Sequence, residues 1–302
     1  MPVKIAIVAL FILVSSTSYG ADGETMLIES VSAKLFTVVY PKPDAETVIL
    51  LHGGPGVPMD FLPITEQLSR RFQVITFDQR GTGRSPATGA SYSIDEYIAD
   101  IDAIARHVGI QKFHLFGHSW GGLYAQIYAE KNPQRVLSMF LCSPSSGTGV
   151  LWKQTEHEVM SFNKRHSGFW AWSLMGVKSL LGMLGSDKAY QSLFKQVLEN
   201  YNKDFDPVFT ATDAMVKNVR AEPINKTRPH LLECPPLLHG VDYRFPIMIT
   251  YGQKDLYGES KNSVKRRLPT ATFMEFENAG HIAWKHNSAK FFHTLNEFYQ
   301  LQ

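Results

Sequence analysis

The pentapeptide Gly117-His118-Ser119-Trp120-Gly121 constrains this chain more than any other feature. An apolar, β-rich run, Lys112–Phe116, precedes it, and a helical stretch, Gly121–Lys131, follows and is closed by Asn132-Pro133. A serine on a tight strand-to-helix turn needs neighbours without side chains, so that the chain can double back and leave its Oγ exposed. The strand before and the helix after are the context of a nucleophile elbow and cast Ser119 as a nucleophile. An ordinary glycine-rich turn would need neither.

The flanking segments repeat this rhythm. Thr47–Leu51 reads as a strand that runs into His52-Gly53-Gly54-Pro55-Gly56, and Phe72–Phe77 as one that runs into Asp78-Gln79-Arg80-Gly81. Ser93–His107 reads as a helix, with Ser93 and Glu96 as a capping box, Ile94, Tyr97, Ile98, Ile101 and Ala105 on one face, and Gly109 as its stop. Val136–Leu141, Pro246–Tyr251 and Thr272–Glu277 read as further strands, and about Ser288–Leu301 as a closing helix. Strand, turn and helix in this order imply an α/β fold with a mostly parallel, doubly wound sheet.

Between about Ser145 and Tyr243 the alternation stops. Helical stretches rich in aromatics and methionine take over, including Phe169-Trp170-Ala171-Trp172 and Ala189–Asn200, and Pro223, Pro229, Pro235 and Pro236 punctuate the way out. Such a block is too long for a loop. It reads as a helical cap, residues 145–243, inserted over the carboxyl edge of a core made of residues 21–144 and 244–302. The Phe169–Trp172 segment is expected to pack inside the cap or to wall an apolar pocket.

Composition narrows the function classes. With 44% hydrophobic and 19% charged residues the chain can fill a core, which excludes a disordered protein. Thirty Lys and Arg against 28 Asp and Glu leave a formal charge of +2, too balanced for an electrostatic nucleic-acid binder. Met1–Gly20 has the layout of a secretory signal: Lys4, the apolar run Ile5–Val14, then a small, polar stretch ending at Ser18 and Gly20. The run is too short to span a bilayer, so a secreted or periplasmic mature chain without a membrane span, starting at Ala21, is expected. Export would permit a Cys142–Cys234 disulfide; two separate thiols are the plainer reading. No histidine-rich helix face or paired-cysteine spacing suggests a metal, and no cofactor is called for.

A serine hydroxyl needs a base, and the base needs a partner that holds its tautomer. In an elbow fold the chain order is serine, carboxylate, histidine. Asp255 follows Pro246–Tyr251 by a short loop, and His281 follows Thr272–Glu277 through Asn278-Ala279-Gly280. Both therefore leave the carboxyl ends of strands, the edge where Ser119 stands and where open α/β sheets bind ligands. Asp242 precedes its strand and lies at the wrong edge. His286 and His293 belong to the closing helix region and read as surface or packing residues, and His118 should point away from its neighbour. The developing oxyanion requires donors, for which the N–H of Trp120 and a glycine of His52–Gly56 are placed.

Taken together, His52-Gly53-Gly54-Pro55-Gly56, Asp78-Gln79-Arg80-Gly81-Thr82-Gly83-Arg84-Ser85 and Gly117-His118-Ser119-Trp120-Gly121-Gly122 resemble the prolyl iminopeptidase family of α/β-hydrolases. The likeness runs from about Val48 to Pro144 and returns at Asp255 and Gly280-His281; it covers the core but not the cap. It implies the α/β-hydrolase fold and makes Gly54 the second oxyanion donor, beside Trp120. It leaves Arg80 either tying the loops around the site or serving structure alone. In that family, cap carboxylates, with a Trp-Glu pair among them, bind the substrate's free ammonium. None of the five tryptophans here precedes a glutamate, which leaves Glu156, Glu158, Glu199, Glu222 and Glu233 as the carboxylates in the cap.

The leading expectation is an exported serine hydrolase that cleaves small amides or short peptides at an N-terminal residue. An esterase or lactonase with the same triad and an acyl-reading cap is the runner-up. A binding protein on a dead scaffold has no need of serine, aspartate and histidine together. Epoxide hydrolases and dehalogenases need a carboxylate where Ser119 stands.

Overall fold

The computed structural model describes residues 23–87, 89–206 and 211–301; the expected leader, Met1–Gly20, lies outside them. Eight strands form one sheet: β1 (Glu24–Ser30), β2 (Ala33–Tyr40), β3 (Thr47–Leu51), β4 (Gln73–Phe77), β5 (Phe113–His118), β6 (Val136–Cys142), β7 (Ile247–Gly252) and β8 (Thr272–Phe276). Their spatial order is β1-β2-β4-β3-β5-β6-β7-β8. The hairpin β1–β2 and the β2–β4 pair are antiparallel; the other pairs are parallel. Three helices occur before β6, namely α1 (Leu62–Leu68), α2 (Ile94–His107) and α3 (Trp120–Lys131). Between β6 and β7 come α4 (Val150–His166), α5 (Phe169–Met183), α6 (Asp187–Asn202), α7 (Asp213–Val216) and α8 (Ala221–Glu233). The chain closes with α9 (Glu259–Arg267), α10 (Ala283–His286) and α11 (Ser288–Tyr299).

Every residue of β3 is buried, as expected of a strand covered on both faces. The period of two sends Ile49 and Leu51 to one face, into a cluster with Ile101 and Ile104 of α2, Leu123 and Ile127 of α3, and Val264 of α9. Val48 and Leu50 turn to the other, with Ile64 and Leu68 of α1, Trp284 of α10 and Phe291 and Leu295 of α11. These helices hold the parallel strands from both sides, so their carboxyl ends share one rigid edge. In α2, Ser93 Oγ accepts from the Glu96 N–H and caps the helix.

At that edge the elbow depends on backbone approach. A Cβ on Gly121 would collide with the Leu51 carbonyl oxygen, and one on Gly117 with the Gly121 carbonyl. Two glycines four residues apart therefore let α3 press against the ends of β3 and β5. Ser119 takes up the turn at φ 56°, ψ −119°, a conformation that costs about 1–3 kcal/mol outside glycine. Its N–H donates to the Cys142 carbonyl at 3.0 Å, and its own carbonyl accepts from the Ser145 N–H at 3.1 Å.

Arg80 is fully buried and serves structure. Its Nε donates to Asp100 Oδ2 at 2.8 Å and its Nη2 to Asp100 Oδ1 at 2.7 Å, while Glu96 and the Ser91 carbonyl take Nη1. The guanidinium thereby clamps the turn after β4 onto α2.

Two expectations are corrected. Phe169 and Trp170 neither pack inside the cap nor wall a pocket: they are 75% and 82% exposed. Pro223 and Pro229 do not punctuate an exit but lie within α8. Pro223 occupies the first turn, where no earlier carbonyl awaits its N–H, and Pro229 forgoes one interior bond. Cys142 and Cys234 are both free thiols.

Removing one member of a buried ion pair leaves its partner uncompensated. Arg80→Ala is expected to cost about 3–5 kcal/mol, read as a lower denaturant midpoint with an unchanged slope; a loss below about 1 kcal/mol, the value of a surface pair, would contradict the clamp.

Candidate active site

Ser119, Asp255 and His281 come from three loops at the carboxyl edge of β5, β7 and β8. Ser119 is half-buried, and its Oγ lies 3.3 Å from Tyr257 Oη. His281 Nδ1 lies 3.0 Å from Asp255 Oδ1. No hydrogen bond joins Ser119 to His281 among the described residues; in an unliganded site such bonds are often long and tighten only with substrate bound.

The carboxylate is held on several sides. Ser143 Oγ donates to Asp255 Oδ2 at 2.6 Å, and the Tyr257 N–H donates to Oδ1 at 3.2 Å. The Lys254 N–H reaches the Ala279 carbonyl at 2.8 Å and so ties the Asp255 loop to the His281 loop. Burial alone would push this carboxyl up. The nearby His281 charge, its hydrogen bond and those from Ser143 and Tyr257 outweigh that and hold Asp255 below its ordinary range.

The imidazole of His281 is walled by rings. His118, Tyr257 and Tyr201 have their centroids 4.7, 5.1 and 5.3 Å from it. Tyr201 belongs to α6, so the block between β6 and β7 reaches the site. The His118 side chain turns away from Ser119 and its Nε2 bonds the His281 carbonyl at 2.9 Å. Burial, followed by the neighbouring His281, pushes His118 down to about 3, which keeps it neutral with Nε2–H as the donor. His286 braces the same loop: the Gly280 N–H donates to its Nδ1 at 3.0 Å, and its ring stacks on Phe205. His293 lies on the surface beside Glu297.

The glycine loop after β3 lies directly against the elbow. A Cβ on Gly53 would stand 3.2 Å from Ser119 Cβ, and the next residue, Gly54, turns at φ 42°. Trp120 opens α3, where no earlier carbonyl of the helix can take its N–H. Gln79 joins the glycine loop to the start of α3. Its Nε2 donates to the His52 carbonyl at 2.8 Å, its Oε1 accepts from Trp120 Nε1 at 2.8 Å, and its N–H donates to His52 Nε2 at 3.0 Å. Since Arg80 clamps the neighbouring peptide, one turn holds the glycine loop and the start of α3 together.

Sequence reasoning did not single out Tyr257, Ser143, Ser145, Gln79 or Tyr201. Tyr257 also bonds Ser145 Oγ at 2.9 Å, and burial pushes its phenol up to about 12, so it stays neutral. Its place two residues after Asp255 is the one local signal that could have marked it. Of the five glutamates between β6 and β7, Glu156, Glu158 and Glu222 are engaged. Glu156 takes a two-pronged bond from Arg228, at 2.6 and 2.9 Å, and another from Trp152 Nε1. Glu158 caps α9, accepting from the Gly258, Glu259 and Ser260 N–H groups. Glu222 pairs with Lys226, Glu199 is half-buried on α6, and Glu233 is exposed on α8. Among the described residues no group of three or more His, Cys, Asp or Glu is placed to hold a metal.

The α/β hydrolase fold family matches residues 46–170, the stretch that carries the glycine loop and the elbow. A proline iminopeptidase of Lactobacillus delbrueckii subsp. bulgaricus is 25% identical over 284 residues, covering 86% of this chain and 92% of that protein. The chain has the α/β-hydrolase fold and is similar to proline iminopeptidases. The solved structure of a proline iminopeptidase from Mycobacterium smegmatis superposes on this hydrolase with a TM-score of 0.63 at 16% identity, over 91% of this chain and 97% of that one. A naproxen esterase from Bacillus subtilis shares the fold equally well, with a TM-score of 0.62 at 15% identity over 93% of both chains.

Asp255 adds stability above the roughly 3.9 of an unfolded aspartate, and this is lost as pH falls through its lower folded value. Ser143→Ala removes one of the bonds that lower it. The acid-unfolding midpoint, followed by far-UV circular dichroism, is expected at higher pH than in the parent; an unmoved midpoint would show that Ser143 does not hold the carboxylate.

Proposed function

We propose that this hydrolase is an exported serine enzyme that cleaves a small amide or short peptide at its N-terminal residue. The observation that carries the chemistry is the 3.0 Å bond between His281 Nδ1 and Asp255 Oδ1 at the edge where the elbow presents Ser119. Asp255 holds the imidazole with its proton on Nδ1, so that Nε2 takes the Ser119 hydroxyl proton as Oγ attacks the carbonyl carbon. The N–H groups of Gly54 and Trp120 hold the oxygen that becomes negative. His281 returns the proton to the leaving amine, and water, activated by the same base, releases the acyl group. The similarity to proline iminopeptidases over 86% of the chain supports an amide substrate with a free N-terminus. Export rests on the Met1–Gly20 leader.

One observation favours a second reading, an esterase using the same residues. A site that reads an ammonium keeps a carboxylate available for it, yet Glu156, Glu158 and Glu222 are already engaged by Arg228, the α9 N-terminus and Lys226.

Hydrolysis of proline and alanine arylamides, with the amine free or blocked, beside a short-chain ester separates the two. Turnover of the free-amine amides that blocking abolishes is expected. Ester turnover with no amide turnover would sink the peptidase reading and leave the serine mechanism. Ser119→Ala should be inactive and unlabelled by a fluorophosphonate, and Asp255→Asn should lose about four orders of magnitude in kcat, as a wrongly held tautomer does. Near-parental turnover in either variant would overturn the mechanism.

A further inference from the structure

The helix α5 presents an apolar face with no partner among the described residues. Phe169, Trp170, Leu174, Val177, Leu180 and Leu184 at its C-cap are between 51% and 82% exposed. At about 100° per residue they fall within one arc of roughly 140°, along a helix about 22 Å long. The opposite side is the seated one: Met175 and Gly182 are buried, and Gly182 lies against the Tyr190 ring of α6. The polar residue inside the arc, Ser173, turns its hydroxyl back onto the Phe169 carbonyl at 2.9 Å. The stripe therefore presents little that requires water.

Charge identifies the occupant. Between Ser167 and Ser186 the sequence holds one charged residue, Lys178, and no acid. Exposed Lys164 and Arg165 stand before the helix and exposed Lys188 after it. The acids at that end are engaged, Asp187 by the Ala221 N–H at 2.7 Å and Arg220, and Glu222 by Lys226. A two-fold pairing of this face with a second copy would bring Lys178 and the flanking cations toward their own images. An anionic surface satisfies both the apolar stripe and its basic rim, with Trp and Phe at the level of the lipid headgroups. Fifteen residues are too few to cross a bilayer, so the helix would lie in the plane.

We infer that the α5 face docks this protein on anionic bilayers, as a peripheral contact made by the block that covers the active site. The full chain would be co-sedimented with vesicles of pure phosphatidylcholine and with vesicles containing phosphatidylglycerol, beside a variant carrying F169Q, W170Q, L174Q and V177Q. Binding is expected to favour the anionic vesicles, to weaken as salt is raised, and to drop at least about tenfold in the variant. Comparison within one chain cancels any contribution from Met1–Gly20. Should the quadruple variant fold poorly, the emission difference between the parent and Trp170→Phe gives the same information, since a docked Trp170 shifts to the blue on vesicle addition. Equal binding by parent and variant, no preference for the anionic lipid, an unshifted Trp170, or a concentration-dependent dimer that the variant abolishes while neither protein binds vesicles would each overturn the inference.

Discussion

The contact on which the site depends is backbone against backbone. Gly121 meets the Leu51 carbonyl, and Gly117 meets Gly121, with no room for a single carbon between them. That approach makes the turn at Ser119 so sharp that the residue is forced to a positive φ. The cost, about 1–3 kcal/mol, is set against two buried faces of packed sheet and the bonds to Cys142 and Ser145 that hold the turn. A relaxed turn would lower the serine into the helix and bury its hydroxyl. The hydroxyl is thus displayed by packing several residues away, through atoms that take no part in any reaction.

The groups around it are fixed in the same indirect way. The glycine loop and the Trp120 end of α3 belong to different strands, yet Gln79 bonds both and Arg80 pins the turn that carries Gln79. On the far side, His118 and His286 hold the backbone of the Gly280–His281 loop rather than any substrate. Burial keeps both neutral: desolvation dominates and moves His118 to about 3 and His286 to about 4. A charged imidazole at either place would repel His281 and leave an unpaid desolvation cost. His118 and His286 thus flank His281 and brace its loop from two sides.

This division explains what could be read from the residues alone. The β3–β8 strands, α2, α3 and α11, and the positions of Ser119, Asp255 and His281 at strand ends follow from local patterns: apolar runs, a capping box, and glycines at a strained turn. The β1–β2 hairpin left no comparable mark, because its outer strand faces solvent and only Ile28 of β1 is buried. Tyr257, Ser143 and Tyr201 gather at the site through tertiary contacts from three separate loops and helices, and no spacing encodes that. Phe169-Trp170 shows the opposite failure. Aromatic residues are ordinarily read as core, since burying them is favourable. Here the helix seats its narrower side, Met175 and Gly182, and leaves the large rings outside.

The seating of α5 bears on how the block between β6 and β7 connects surface to site. Its inner helix, α6, places Tyr201 against His281, while Tyr190 of the same helix fills the space that Gly182 of α5 leaves open. That helix packs on the seated side of α5, opposite the exposed stripe, and also against the imidazole. A side chain larger than glycine at 182 would run into the Tyr190 ring of α6. The link between the outer helix and the site is close packing through one helix, with Tyr190 at one contact and Tyr201 at the other.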